Sequence, residues 1–286
     1  MQRWHHSPSA HLPGAPRVVC AHCWRGAAGA EIEHDAIRTF NRFELKYVVP
    51  VRDLAGLRDE IAAYMVRDPH AGADGRYMLS SLYYDTPARD CFWAKLDGLK
   101  FRRKLRIRHY EERVSLKGDS PVFIEIKQRV DRVTQKRRAV LAYRDALDLC
   151  EERVIPDHDE QDEAVVHEAF ALVVRHDLRP ACITTYQREP WMGGDYDPGL
   201  RITIDTDLRY RTNDLWLDSK HPGRFMFPPR LAILEIKAND RVPFWLTHLV
   251  ARNNLQLSRM SKYCMSLDVA GYGQRPARTR RILLAV

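Results

Sequence analysis

The sequence predicts an α+β fold in which a largely antiparallel β-sheet closes on itself into a barrel and is flanked by helices. About seven short runs between residues 42 and 239 alternate apolar and polar side chains, which is the periodicity of half-buried strands. Apolar residues at helical spacing occur in only a few segments, and the connections are too short for repeated βαβ units. Strands joined by short connections are therefore expected to pair antiparallel.

The two ends of the chain differ from its middle. Residues 1–36 mix Pro, Gly, Ala, His and Arg without periodicity, so we expect a disordered leader. Residues 271–286 are basic and punctuated by Gly and Pro, so we expect a flexible tail and a folded domain over residues 37–270. Cys20 and Cys23 have the spacing of half a zinc site, but no second Cys or His pair follows at the distance that such a site needs.

The alternating runs follow one another along the middle of the chain. They are RFELKYVV from Arg42, YMLSSLYYD from Tyr77, KLRIRHY from Lys104, VFIEIKQRV from Val122, ACITTYQRE from Ala181, LRITIDTDLRYR from Leu200 and LAILEIKAN from Leu231. Helical spacing of apolar residues marks three further segments, two that begin near Leu54 and Val165 and a third between Pro243 and Leu267. Helices in these segments are expected to flank the sheet.

Composition restricts the class of protein. Hydrophobic residues make up 45% and charged residues 29% of the 286 residues, which is typical of a globular protein. No stretch reaches the roughly 18 uninterrupted apolar residues of a transmembrane helix, and the beginning of the chain lacks the pattern of a secretory signal. The six cysteines form no disulfide-like framework. We therefore expect a cytoplasmic protein with reduced thiols and no transmembrane segment.

Charged residues share one face of most predicted strands, because successive side chains of a strand point to opposite faces. These positions are Arg42, Glu44 and Lys46; Arg102, Lys104, Arg106 and Arg108; Glu125, Lys127 and Arg129; Arg201, Asp205, Asp207, Arg209 and Arg211; and Glu235 and Lys237. For any one strand, this face could simply be the solvated side of a sheet that packs on a core. Two like charges about 4 Å apart, however, repel by roughly 4 kcal/mol at an effective dielectric constant near 20. Such crowding favours a bound anion and predicts charged faces that converge on a lumen.

Carboxylates recur among these cations, and each could neutralise a neighbour. A phosphate site also needs one or two hard oxygen ligands to hold Mg²⁺ or Mn²⁺ against phosphoryl oxygens, so at least one carboxylate is expected to bind metal. Phosphoryl transfer needs mainly in-line positioning and fixed positive charge where negative charge gathers. The sequence therefore predicts a lumen that binds a polyphosphate or nucleoside triphosphate and transfers a phosphoryl group there.

These runs, together with SLYYDTP from Ser81, TTYQRE from Thr184 and LSRMSKY from Leu257, resemble the VTC (vacuolar transporter chaperone) domain of polyphosphate polymerases. This family belongs to the triphosphate tunnel metalloenzyme (CYTH-like) superfamily. The resemblance extends over roughly residues 38–268 and implies a barrel tunnel in which ATP donates its γ-phosphate to polyphosphate and releases ADP, with Mn²⁺ or Mg²⁺ bound. ATP and polyphosphate are the implied partners, and a membrane-protein partner stays open. No nucleic-acid-binding motif is present, so nucleic acid is not expected to bind.

The resemblance also implies roles for single residues. The implied phosphate-binding residues are Lys46, Arg106, Arg108, Lys127, Lys136, Arg188, Arg201, Arg259 and Lys262. Glu235 matches a metal-holding glutamate, and the implied catalytic residues are Ser261, Lys262, Arg106 and Arg108. From the residues alone, Ser261 could equally be a helix N-cap and Lys262 a solvated residue of the first helical turn.

Two other functions stay open at this point. A triphosphatase of the same superfamily would share the lumen but pass the phosphate to water. Its usual entrance motif is ExExK, whereas Arg42 stands here in place of the first carboxylate, ahead of Glu44 and Lys46. This exchange disfavours two-metal hydrolysis, and an adenylyl cyclase with it. A non-catalytic polyphosphate-binding module is disfavoured because Arg106, Arg108, Glu235 and Lys262 are all retained.

Overall fold

The computed structural model describes residues 42–110, 115–131, 133–194, 197–239 and 241–273. Within these ranges it has ten strands: β1 Arg42–Pro50, β2 Met65–Arg67, β3 Tyr77–Asp85, β4 Phe101–His109, β5 Pro121–Val130, β6 Val133–Ala142, β7 Arg179–Gly193, β8 Arg201–Arg211, β9 Arg224–Phe225 and β10 Leu231–Asn239. Its α-helices are α1 Leu54–Ala62, α2 Asp90–Leu96, α3 Tyr143–Leu147, α4 Glu163–His176, α5 Phe244–Arg252 and α6 Lys262–Leu267. The predicted leader with Cys20 and Cys23, and all of the predicted tail beyond residue 273, lie outside the described residues.

All ten strands belong to one sheet. Its main path runs β1-β10-β8-β7-β3-β4-β5-β6, and β2 and β9 pair with β7 and β8. Each of these pairings is antiparallel. The α+β class with an antiparallel sheet and flanking helices, which the alternating runs predict, is confirmed. No helix in the described part of the chain is long and apolar enough to cross a membrane.

The two ends of the strand path face each other across the charged side of the sheet. In the described ranges no ladder joins β6 to β1, but Lys127 Nζ on β5 lies 3.2 Å from Glu44 Oε2 on β1. The free edge of β1 is covered by the segment before α6, since the Ser258 amide donates to the Lys46 carbonyl at 2.7 Å. An ion pair thus bridges β5 and β1, and main chain covers the edge of β1. We call the space that the charged faces enclose the lumen.

The apolar strand faces point away from the lumen and form two cores beneath the helices. On one side, buried Leu105 of β4 and Ile124 of β5 pack in a cluster with Val173 of α4. On the other side, buried Ile236 of β10 packs in a cluster with Leu246 of α5. Burying one such side chain stabilises the fold by about 1.5–3 kcal/mol, so these two cores keep the alternating charged residues on the inner face.

The short helix α6 lies on the lumen side of the sheet. Tyr263 and Cys264 are buried in a cluster with Tyr83 of β3 and Cys182 of β7. The Tyr263 hydroxyl donates to the buried carboxylate of Asp85, at the end of β3. These contacts place the first residues of α6 against the charged strand faces.

Candidate functional site

The lumen contains more cations than carboxylates. Within the described ranges, ion pairs across it join eight cationic side chains, Lys46, Arg106, Arg108, Lys127, Lys136, Arg188, Lys237 and Lys262, to four carboxylates, Glu44, Glu125, Asp205 and Glu235. This leaves an excess of four positive charges. A cleft lined by one sign of charge attracts ligands of the opposite sign, so this lumen suits a polyanion.

The first cluster of charges is centred on Glu125 of β5, which lies directly opposite Arg106 of β4 in the ladder. Arg106 Nε and Nη2 donate to Glu125 Oε2 at 2.8 and 2.6 Å, and Lys136 Nζ of β6 donates to Oε1 at 2.9 Å. Arg108 Nη1 lies 3.6 Å from the same carboxylate. Burial favours the protonated acid, but the three cations outweigh it and hold the pKa of Glu125 well below its usual range.

Neutral side chains fix the two arginines from the other side. Arg106 Nη1 donates to the Tyr83 hydroxyl at 2.8 Å, and Arg108 Nε donates to the Ser81 hydroxyl at 3.0 Å. Both partners belong to β3, the neighbour of β4 in the sheet. The guanidinium groups are therefore oriented before any ligand binds, which lowers the entropy cost of gripping a phosphate.

The second cluster is centred on Asp205 of β8, which is fully buried. Arg188, directly opposite on β7, donates from Nε and Nη2 to the two carboxylate oxygens at 2.7 and 2.8 Å. Lys262 Nζ, from the first turn of α6, donates to Asp205 Oδ2 at 2.6 Å. Burial disfavours the charged carboxylate, but Arg188 and Lys262 outweigh it and lower the pKa of Asp205. Lys262 therefore reaches into the lumen and is not a solvated helix residue.

Ser261 precedes Lys262 and has two contacts. Its hydroxyl accepts a hydrogen bond from the Cys264 amide at 3.5 Å and so caps α6. This agrees with the interpretation of Ser261 as a helix N-cap. The same hydroxyl accepts from Lys104 Nζ at 3.2 Å. The N-cap function and contact with a cation on the charged face of β4 are thus compatible.

The third cluster is centred on Glu235 of β10. Its carboxylate lies 2.5 Å from Lys237 Nζ, 3.9 Å from Lys46 Nζ and 3.8 Å from Arg188 Nη2, which links it to the second cluster. Lys46 also pairs with Glu44 at 2.8 Å. Burial opposes ionisation, but Lys237, Lys46 and Arg188 hold the pKa of Glu235 well below its usual range. Burial also opposes the ionisation of Glu44, but Lys46 and the other nearby lysines lower its pKa to about 2.

Three lumen lysines have lowered pKa values, and burial is the main cause in each. The pKa of Lys237 falls to about 8, because burial and the nearby Arg188 outweigh the attraction of Glu235. The pKa values of Lys127 and Lys136 are lowered as well, with Arg106 adding repulsion to burial. A bound anion would favour the protonated form of all three lysines.

A divalent metal fits this lumen only with help from a ligand. The described residues contain no group of three or more His, Cys, Asp or Glu side chains that could hold a metal ion. Glu235 and Glu44 do share Lys46 as a neighbour, and both carboxylates are held ionised. Mg²⁺ is commonly bound by one or two carboxylates together with substrate phosphates, so these two residues fit an ion that phosphate oxygens also ligate.

Two of the predicted phosphate-binding residues lie outside the three clusters. Arg201 stands directly opposite Lys237 in the ladder, but its guanidinium pairs with Asp68 at 3.0 Å. Arg259 is exposed and pairs with no carboxylate in the described part of the chain. The structure brings the other seven predicted cations together around the lumen.

The predicted site residues do not include several residues that complete these clusters. Lys237 lies on the same strand face as Glu235, two positions along, and this spacing was the available signal. Ser81 and Tyr83 alternate in the same way on β3, but they are uncharged and carry no comparable signal.

Comparison with known proteins identifies related sequences. The sequence model of the VTC domain family matches residues 41–270. Vacuolar transporter chaperone complex subunit 4 of Trypanosoma brucei brucei is 26% identical over 286 residues, a match that takes in 84% of this chain and 35% of that protein. The chain thus spans about a third of the length of this relative.

Two solved structures resemble the chain at low sequence identity. A putative adenylate cyclase (bh2851) from Bacillus halodurans is 12% identical with a TM-score of 0.45, over 76% of this chain and 92% of that one. HpAC1 from Hippeastrum, a putative adenylyl cyclase with a dominant triphosphatase activity, is 13% identical with a TM-score of 0.47, over 80% of this chain and 95% of that one.

Proposed function

This chain belongs to the VTC domain family, and we propose that it is an ATP-dependent polyphosphate polymerase that transfers the γ-phosphate of ATP to a growing polyphosphate chain. The observation that carries the proposal is the lumen, where eight cations from six strands and α6 surround four carboxylates. A donor and an acceptor that are both polyanions need such charge on every side to approach each other.

The proposed reaction exchanges one P–O bond for another. An oxygen of the terminal phosphate of polyphosphate forms a bond to the γ-phosphorus of ATP, while the bond from that phosphorus to the β,γ-bridging oxygen breaks and ADP leaves. The attacking oxygen is already anionic, so no general base is required. The protein has to align the two phosphates and to neutralise their repulsion.

Arg106 and Arg108 are suited to gripping phosphate oxygens, because a guanidinium fork binds them bidentately. Glu125 holds both forks in place without a ligand. Lys262 enters from α6 and Arg188 from β7, and both are held by Asp205. Positive charge therefore reaches a phosphate in the lumen from separate elements, which is the arrangement that stabilises charge developing in a transition state.

Glu235, with Glu44 beside it, would hold Mn²⁺ or Mg²⁺ together with phosphate oxygens. When bound, such an ion would neutralise phosphoryl oxygens and polarise the γ-phosphate. In the absence of ligand, Lys237 and Lys46 balance the charge of Glu235.

The proposal is tested by incubating the purified protein with ATP and Mn²⁺ or Mg²⁺, resolving polyphosphate on a gel and quantifying ADP and free phosphate. Glu235→Gln should lower polymer formation by roughly 100-fold, a typical loss when one electrostatic group of an active site is removed. The matched control is Glu168→Gln, which should keep full activity. The carboxylate of Glu168 pairs with Arg137 outside the lumen.

The other outcomes would change either the proposed function or the proposed metal site. Free phosphate without polymer would identify a triphosphatase. Tight polyphosphate binding without turnover of ATP would leave a binding module. Polymer formation that survives Glu235→Gln would remove Glu235 from the proposed metal site.

A further inference from the structure

The charged face of β4 and β5 continues beyond the three clusters. On β4, Arg102 and Lys104 precede Arg106 on the same face, and on β5 Arg129 follows Lys127. Arg102 stands directly opposite Arg129, and Lys104 directly opposite Lys127. Side chains opposite each other in a ladder have Cβ atoms about 4.5–5.5 Å apart, and like charges in such positions destabilise the pair.

This extension differs from the lumen because carboxylates do not neutralise it. Over the described ranges, no carboxylate forms an ion pair with Arg102, Lys104, Arg129 or Lys95, the last of which lies on α2. Arg102 and Arg129 donate to backbone carbonyls, and Lys104 contacts Ser261 and the ring of Tyr263.

The electrostatics of the extension show mutual repulsion. Burial, followed by the charge of Arg102, lowers the pKa of Lys95. Burial, followed by the charge of Arg129, lowers the pKa of Arg102 itself. Lys95, Arg102 and Arg129 are therefore close enough to disfavour one another's charged forms, and an anion between them would relieve this repulsion.

The extension leads from the lumen to solvent. Along β5, Glu125 is buried, Lys127 is half-buried and Arg129 is exposed. On β4 the buried Arg108 and the partly exposed Arg102 are six residues apart, which is about 20 Å of strand. A ligand that reached from one to the other would have to be a long, extended chain.

We propose that Lys95, Arg102, Lys104 and Arg129 form an outer track that binds the part of a polyphosphate chain lying outside the lumen. The nature of the ligand rests on the proposed function, whereas the track itself rests on the unneutralised cations. A short phosphate ligand would be bound in the lumen alone. A long chain would occupy the lumen and the outer track together, so its affinity should depend on the track.

The test compares two probes, inorganic tripolyphosphate and long-chain inorganic polyphosphate, by calorimetric titration at several salt concentrations. The double variant Arg102→Gln/Arg129→Gln should bind long-chain polyphosphate about tenfold more weakly. Its plot of log affinity against log salt should be shallower by about 1.5, because two phosphate contacts are lost. Tripolyphosphate should bind it as it binds the parent protein.

The matched control is Arg103→Gln, which alters the neighbouring arginine on the opposite face of β4, above the ring of Phe101. It should leave the binding of both probes unchanged. Equal losses for both probes, or an unchanged affinity for long-chain polyphosphate, would overturn the outer track. If the parent protein bound neither probe, the proposed function itself would fail, so the two failures are distinguishable.

Discussion

Replacing Glu125 with Gln removes the carboxylate on which the first cluster depends. Glu125 is 1% exposed, and the substitution leaves Arg106, Arg108 and Lys136 without their common partner. Breaking a buried ion pair in this way destabilises a protein by about 3–5 kcal/mol. The Lys136 side chain is 42% exposed and can turn towards water, so we expect a loss near the lower end, about 3 kcal/mol.

Thermal unfolding followed by circular dichroism measures this loss. A change of 1 kcal/mol shifts the melting temperature of a chain of this size by about 2–4 °C, so Glu125→Gln should lower it by roughly 6–12 °C. Glu168→Gln is the control, because its pair with Arg137 is partly exposed and such pairs contribute about 0–1 kcal/mol.

Adding tripolyphosphate gives the more specific result. The substitution raises the excess of positive charge in the lumen from four to five, so an anion can supply the missing counter-charge. Saturating tripolyphosphate should therefore raise the melting temperature of Glu125→Gln more than that of the parent protein. A variant as stable as the parent, or an equal rise for both proteins, would refute the assignment of Glu125 as the counter-charge of the cluster.

Three further predictions follow from the same contacts. The pKa of Glu125 is held well below its ordinary 4.5, so its contribution to stability is fully present above pH 4.5 and is lost as the pH falls through the folded-state value. The free energy of unfolding of Glu125→Gln should therefore fall less steeply on acidification than that of the parent protein. Equal slopes for the two proteins would contradict this. Ser261→Ala should lower the urea-derived free energy of unfolding by about 1 kcal/mol through loss of the α6 cap, whereas an unchanged midpoint would argue against the cap. Arg188→Lys keeps the charge but loses the pair of hydrogen bonds to the Asp205 carboxylate, so the free energy of unfolding should fall by about 2 kcal/mol in the same titration. An unchanged free energy would show that the paired hydrogen bonds are dispensable.

The faces of the strands follow directly from the sequence. Because a strand has a period of two, burying Leu105 and Ile107 under the helices forces Arg106 and Arg108 to the other face. The same reasoning predicts the lumen positions of Glu44 and Lys46. It works because the opposite faces carry large apolar side chains, Tyr47 in β1 and Leu105 and Ile107 in β4, which pack in the two cores.

The pairing of charges across strands could not be predicted in this way. Glu125 meets Arg106 and Lys136 because of the register of β4, β5 and β6, and the alternation within one strand does not encode register. The strand β6 itself is missing from the sequence prediction. Its charged residues Lys136, Arg137 and Arg138 are consecutive and interrupt the alternation of apolar and polar residues that marks a strand. Arg137 points away from the lumen and pairs with Glu168 of α4 at 2.6 Å.

Helices α2 and α3 could not be predicted from the sequence either. α2 has seven residues and α3 has five, too few to show a helical period. For the six-residue α6, the sequence indicates an N-cap at Ser261 but not the position of the helix. That position depends on tertiary contacts, above all between Tyr263 and Asp85, and it is what brings Lys262 to Asp205.

The most direct test of the proposed polymerase activity follows labelled phosphate from ATP. The protein is incubated with ATP labelled at the γ-phosphate and, in parallel, with ATP labelled at the α-phosphate, and the label in polymer, ADP and free phosphate is counted. The proposed transfer predicts that γ-label enters the polymer with one ADP released for each phosphate incorporated, while α-label stays in ADP. Recovery of the γ-label as free phosphate, with none in polymer, would contradict phosphoryl transfer between polyanions in this lumen.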